Sequence, residues 1–308
     1  MRTTTAFALG STVLFMLACS GKGAGDLSKV LPDDRVLINL PVEDSGSARV
    51  GEWSEYYLFT AEVVDDVNFL AGTVLATTGA IVQYPASSTE GDTSFWGPYA
   101  DTLDPAETQL WVTANEDGTY SWGYDQRPKN DDAAEWTTVV TGEVDAGATE
   151  EASSGRFSVD WTAMKELNPN VHATGVFEVD YDLGTDGVSG TARFVDVLWD
   201  GADQAVDADY AYEQIHEGGG TMDLAVDADM GAGGAQDEHL MVRSRWDADG
   251  VGRSDARLSD GDLGDFTATA SECWDPGFQS VYYVDNYTPI EEGDVAGCVF
   301  AEAEFAEE

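Results

Sequence analysis

Four of the chain's 14 basic residues, Arg243, Arg245, Arg253 and Arg257, fall on two short segments joined by Asp247-Ala248-Asp249-Gly250. Asp-Gly is a frequent hairpin turn, so the segments read as paired strands. Period two puts Arg243 and Arg245 on one face of the first strand, and Arg253, Asp255 and Arg257 on one face of the second. If the strands pair, the arginines cluster. Clustered guanidinium groups can bind a lipid phosphate or a carboxylate in bidentate geometry. They can equally form a cross-strand ion-pair ladder with carboxylates such as Asp255.

Asp247, Asp249 and Asp255 give the spacing D-x-D-G-x-x-x-x-D, which faintly resembles a calcium loop. Calcium takes six to eight oxygens, and an EF-hand loop ends in a bidentate Glu at its twelfth position. Here that position is Leu258, so calcium is a minor expectation and no other cofactor is expected. Asp260-Gly261-Asp262 and the trio Asp223, Asp227 and Asp229 are comparable turn-prone material. The chain carries no G-x-S-x-G elbow, H-E-x-x-H pair, Walker loop or Rossmann fingerprint. With 59 acidic residues, chance carboxylate pairs are certain and identify no glycosidase. The expected function is therefore non-enzymatic.

Acidic residues outnumber basic ones 59 to 14, for a net charge of −45. Phosphate binding needs patches of Lys and Arg, so a nucleic-acid partner is excluded as an expectation. Calcium, cationic partners or simple solubility are compatible with such a charge, and self-repulsion favours a monomer.

Three cysteines occur. Cys273 and Cys298 form an even pair suited to an oxidising compartment. Their disulfide would close a loop of about 25 residues and contribute about 3 kcal/mol in the chain-entropy model. His172, His216 and His239 are scattered and make a poor zinc set with two cysteines.

The third cysteine ends an export signal. Arg2 supplies a positive start, and Ala6 to Leu17 forms an uncharged apolar run. That run is too short to span a bilayer and reads as a signal-peptide core. Met16-Leu17-Ala18-Cys19 resembles a bacterial lipobox, which implies lipidation of Cys19 and removal of residues 1–18. The alternative is an ordinary secretory signal cleaved nearby. Residues 19–29 are small and polar, as a flexible tether should be. A single β-rich domain is expected over 30–308. By resemblance to known sorting rules, Ser20 permits delivery to the outer membrane, so a lipid-anchored cell-envelope protein is expected.

Between residues 53 and 83 apolar residues recur at spacings of three and four, from Trp53, Tyr56 and Val63 to Val74 and Ile81. This predicts one long helix, ended by Pro85. No charge occurs from Val67 to Val82, so that half is expected to be buried all round. A short helix is predicted over Trp161–Leu167, capped by Asp160.

Nearly all else predicts antiparallel strands. Gln109–Ala114 and Thr119–Tyr124 flank an Asn-Glu-Asp-Gly turn. Further strands are predicted at Glu135–Asp145, Gly155–Val159, Val171–Tyr181, Ser189–Leu198, Val206–His216, Gly220–Ala228, Glu238–Trp246, Gly252–Leu258, Phe266–Cys273, Gln279–Val284 and Cys298–Glu304. The expected fold is mainly β (α+β): a large antiparallel meander curled into a barrel or half-barrel around the 53–83 helix. The alternative is a sandwich with the helix outside one face.

Three stretches carry a resemblance: Trp96-Gly97-Pro98-Tyr99; Arg127-Pro128-Lys129; and Ser271-Glu272-Cys273-Trp274-Asp275 with Gly297-Cys298-Val299-Phe300. On these the chain resembles uncharacterised acidic lipoproteins of myxobacteria and related bacteria. The resemblance implies anchoring and fold and brings no activity with it. Two functions are expected: a lipid-anchored scaffold or interaction module with an envelope protein partner, or a carrier. The carrier would hold a lipid or other apolar ligand in the hollow of the sheet, with the helix as plug or lid.

Overall fold

The computed structural model describes residues 31–38, 40, 52–149, 151–216, 218–231, 233–300 and 302–305. Cys19, the signal segment and the tether lie outside the described residues.

Fifteen antiparallel strands form one sheet in chain order, each paired with its sequence neighbours. They are β1 (Ser88–Glu90), β2 (Thr93–Tyr99), β3 (Ala106–Ala114), β4 (Tyr120–Pro128), β5 (Thr137–Val144), β6 (Ser153–Asp160), β7 (Ala173–Leu183) and β8 (Gly187–Trp199). The meander continues through β9 (Val206–Ile215), β10 (Gly220–Ala228), β11 (Glu238–Trp246), β12 (Gly252–Asp260), β13 (Ala268–Trp274), β14 (Ser280–Asp285) and β15 (Glu291–Gly293). The sheet is open, with β1 and β15 as its edges, so of the expected barrel or half-barrel the closed barrel is corrected. Both edge strands are three residues long and offer too short a ladder to close on one another.

Helix α1 spans Glu55–Val82. Ser54 caps it, its hydroxyl accepting a bond from Tyr57 N at 3.0 Å. The face toward the sheet is Tyr57, Thr60, Val64, Val67, Ala71, Leu75, Thr78 and Val82, at the 3–4 spacing of a single helical stripe. The opposite face is open: Phe69 is 60% exposed, and Thr73, Ala76, Thr77 and Ala80 are exposed with it. The uncharged half is therefore not buried all round. Alanine and threonine tolerate water, so lack of charge there does not require burial.

The helix crosses the strands. Ser54 and Tyr56 meet Glu272 on β13, Thr60 meets Ser244 on β11, and Thr78 meets Tyr124 on β4. Just past its end, Trp96 on β2 donates its indole N–H to Tyr84 O at 2.8 Å. Between these anchorages, over β7–β9, residues 31–38 lie between helix and sheet. Leu31, Val36 and Ile38 are almost fully buried there, and Asn68 of the helix exchanges two hydrogen bonds with the Ile38 backbone. A second helix, α2 (Trp161–Leu167), stacks Trp161 on the buried Phe177 of β7.

Large aromatics and glycines face each other across the strands. Gly142 lies opposite Trp122, and Gly252 opposite both Trp246 and Trp274. A Cβ at Gly142 would overlap the Trp122 ring, and one at Gly252 the Trp274 ring. Each ring thus lies over a backbone with no side chain to lift it, which packs the helix side densely.

Candidate functional site

Period two divides every strand between a face under α1 and a face away from it. On β7, Phe177, Val179 and Tyr181 are buried while Glu178, Asp180 and Asp182 are exposed. The strand register joins the outward residues into a row: Glu143, Arg156, Asp180, Thr191, Ala211, Asp223, Arg243, Asp255 and Ser271. A parallel row runs Ser158, Glu178, Arg193, Asp209, Ala225, Met241 and Arg257.

Three adjoining clefts, of about 390, 430 and 530 Å³, occupy this face over β3–β11, and Asp180 borders all three. Seven carboxylates (Glu143, Asp145, Glu178, Asp180, Asp182, Asp209, Asp223) line them against three guanidinium groups. Arg156 pairs with Glu143 at 2.8 Å, Arg193 with Asp209 at 3.5 Å, and Arg243 with Asp223. Hydrogen bonding to Glu143 raises the pKa of Arg156, and bonding to Asp223 raises that of Arg243, so both stay charged. Glu178, Asp180 and Asp182 form no ion pair among the described residues.

At the β11–β13 end the same face is covered. Cys273 and Cys298 form a disulfide with Cα atoms 5.5 Å apart, and the segment after Cys298 runs back over the arginines. Arg253 donates to Phe300 O at 3.1 Å and Arg245 to Glu302 O at 2.8 Å. Arg245 also pairs with Glu304 at 2.7 Å and stacks over the Phe300 ring. Residues 298–304 were expected to be a strand; 298–300 and 302–304, the described part, are irregular instead. Their carbonyls bond to guanidinium groups rather than to a neighbouring backbone, so no ladder forms.

Among the candidate residues, the structure brings Arg243, Arg245 and Arg253 together around Asp255 and Glu304. Arg245 and Arg253 stand directly opposite one another, a like-charge pairing that Asp255 offsets at 3.4 Å and 2.9 Å. Arg257 sits apart on the neighbouring row and is exposed. Asp247, Asp249 and Asp255 do not converge. Asp247 closes its own turn, accepting from Asp249 N and Val251 N, whereas Asp255 accepts from Arg253 and from Ser271 Oγ. No three His, Cys, Asp or Glu side chains among the described residues are grouped to hold a metal ion.

Sequence reasoning missed three buried carboxylates, Glu238, Glu272 and Asp285. Glu238 accepts from Met230 N and Asp262 N, tying two loops together. Glu272 accepts from Ser54 Oγ at 2.7 Å and Tyr56 N at 2.9 Å, placing a carboxylate at the positive end of α1. Burial raises its pKa, although the bonds from Ser280, Tyr56 and Ser54 work against that rise. The available signal was phase: Glu272 shares its face of β13 with Trp274.

No described helix is long and apolar enough to cross a membrane. No protein-family model, curated protein or solved structure matches this chain.

Proposed function

We propose that the chain is a lipid-anchored envelope protein that presents the outward face of its sheet to a cationic partner. The observation that carries this reading is the run of clefts around Asp180, where carboxylates outnumber guanidinium groups and four (Asp145, Glu178, Asp180 and Asp182) have no ion pair among the described residues. Carboxylates on a pleated surface suit a partner rich in ammonium or guanidinium groups, such as a basic segment of an envelope protein. Leu31, where the described chain begins, packs on the helix side. A tether from a lipidated Cys19 would therefore leave from the side opposite the acidic face, which would then point away from the membrane.

We also infer that the open sheet bows as a half-barrel toward α1. From Thr60 to Thr78 the helix rises about 27 Å. A flat sheet from β11 to β4 would span about 34 Å. One helix reaching both strands fits a bowed sheet, with residues 31–38 filling the middle.

A carrier reading has one observation in its favour. Trp122 Nε1 and Tyr210 OH are buried without hydrogen-bond partners among the described residues. A polar ligand group or water could satisfy them. Leu31, Val36 and Ile38 already fill the hollow, so an apolar ligand would have to displace them.

The test is titration of the full chain in detergent with an oligolysine peptide. Saturable binding, weakened about tenfold or more by Glu178→Gln/Asp180→Asn/Asp182→Asn and by added salt, supports the presenting face. Binding that the triple variant leaves unchanged rejects it.

A further inference from the structure

We propose that Arg243 and Arg245 form a receptor for an acidic, aromatic peptide segment, which the chain's own C-terminal residues occupy as an exchangeable ligand in cis. The occupant is held at alternate positions. Phe300 gives its carbonyl to Arg253 at 3.1 Å and its ring to the Arg245 guanidinium, 5.3 Å away. Glu302 gives its carbonyl to Arg245 at 2.8 Å. Glu304 is gripped at both oxygens, Oε1 by Arg245 at 2.7 Å and Oε2 by Arg243 at 3.0 Å. Its backbone N–H donates to Asp255 at 3.2 Å. Phe305 then lines the cleft of about 430 Å³ beside Ala225, Met241 and Arg243.

These are the contacts of a bound peptide rather than of a strand. Residues 300 and 302–305 make no backbone–backbone hydrogen bond to the sheet among the described residues. Arginine clusters that grip a carboxylate are a recurrent way of reading an acidic segment on a partner. The site is also prepared without its occupant. Asp223 holds Nε of Arg243, and Asp255 holds Arg245 at 3.4 Å, so both guanidinium groups keep their orientation when the Glu304 carboxylate leaves.

Burial divides the covering segment into a fixed part and an exchangeable one. Arg253 and Asp255 are almost fully buried, and Cys273–Cys298 fastens the chain to the same end of the sheet. The side chains of Arg243 and Glu304 are 37% and 28% exposed, so water and competing carboxylates reach their contact. An ion pair open to water is weak, and this end can release while the staple keeps the segment nearby. A peptide in trans must therefore compete with a tethered one at an effective concentration on the order of 1 mM, which makes the cis segment autoinhibitory. With a net charge of −45 the chain as a whole repels an acidic peptide, so diffuse attraction cannot imitate the site.

The experiment is fluorescence-anisotropy titration of the full chain with a labelled peptide of residues 300–308. Phe300→Ala/Glu304→Ala/Phe305→Ala removes the occupant's side-chain contacts in cis, and this opened chain should bind the peptide about tenfold or more tightly than the unaltered chain. Adding Arg243→Gln/Arg245→Gln to the opened chain should weaken binding about tenfold or more, as loss of charge-assisted hydrogen bonds does. If that variant fails to fold by circular dichroism, a peptide carrying Glu304→Gln decides, and should bind the opened chain about tenfold less tightly. The proposal is overturned if the opened chain binds the peptide no better than the unaltered chain. It is overturned equally if full binding survives the arginine change or, where the peptide decides, the Glu304→Gln change.

Discussion

The two faces of β7 are built from alternate residues of one eleven-residue strand, yet they live in opposite conditions. Phe177, Val179 and Tyr181 pack under the helix side, while Glu178, Asp180 and Asp182 stand in water less than a strand's thickness away. Farther along the same sheet the contrast breaks down. Arg253 and Asp255 occupy outward positions of β12 and are nonetheless 2% and 1% exposed. The difference lies in the C-terminal segment, stapled by Cys273–Cys298, which covers one end of the outward face and leaves the rest bare. An arginine–aspartate set is thus buried at the covered end, whereas the same residue types over β5–β10 stand exposed.

Substitutions on the two halves should separate sharply. The largest loss is expected from Asp255→Ala, which removes the carboxylate shared by Arg253 and Arg245 at the covered end. Breaking a buried pair from one side should cost about 3–5 kcal/mol in urea unfolding. Cys273→Ser/Cys298→Ser removes the staple and should cost about 3 kcal/mol. It should also expose Arg245 and Arg253, read as faster hydrogen exchange along β12. Gly252→Val drives a side chain into the Trp274 ring on the helix side and should cost about 1–3 kcal/mol. Thr191→Val, on the bare half, should stay within about 0.5 kcal/mol. If the Thr191 change proved as damaging as the Gly252 change, the division of faces would fail.

Glu272 adds a pH signature. Its folded-state pKa is raised, so the folded chain binds its proton more tightly than the unfolded chain does. Its contribution is fully present below the unfolded glutamate pKa and is lost as pH rises through the raised value. Stability measured from the ordinary glutamate range upward should therefore fall less steeply in Glu272→Gln than in the unaltered chain. A steeper fall in the variant would contradict the assignment.

Much of this was legible in the residues. Gly220–Ala228, Glu238–Trp246 and Trp161–Leu167 coincide with β10, β11 and α2, because alternation, flanking turn residues or a clear cap bounds each. The strands β1 and β2 were not legible: Ser88–Glu90 is wholly polar, and Gly97-Pro98 interrupts alternation where the register shifts between Trp96 and Tyr99. The clustering of arginines was visible in the spacing, but its cover was not, since Phe300, Glu302 and Glu304 act through contacts 47 to 61 residues distant. The grip of Glu272 on Ser54 spans 218 residues, a separation that local pattern does not encode.

The presenting face is tested most directly by carboxyl footprinting with carbodiimide and an amine label, with and without oligolysine. The account predicts that the peptide protects Glu178, Asp180 and Asp182, leaves Glu62, Asp65 and Asp66 of the helix labelled as before, and finds the buried Glu238 unlabelled in both states. Protection spread evenly over the acidic residues, or concentrated on the helix, would contradict it.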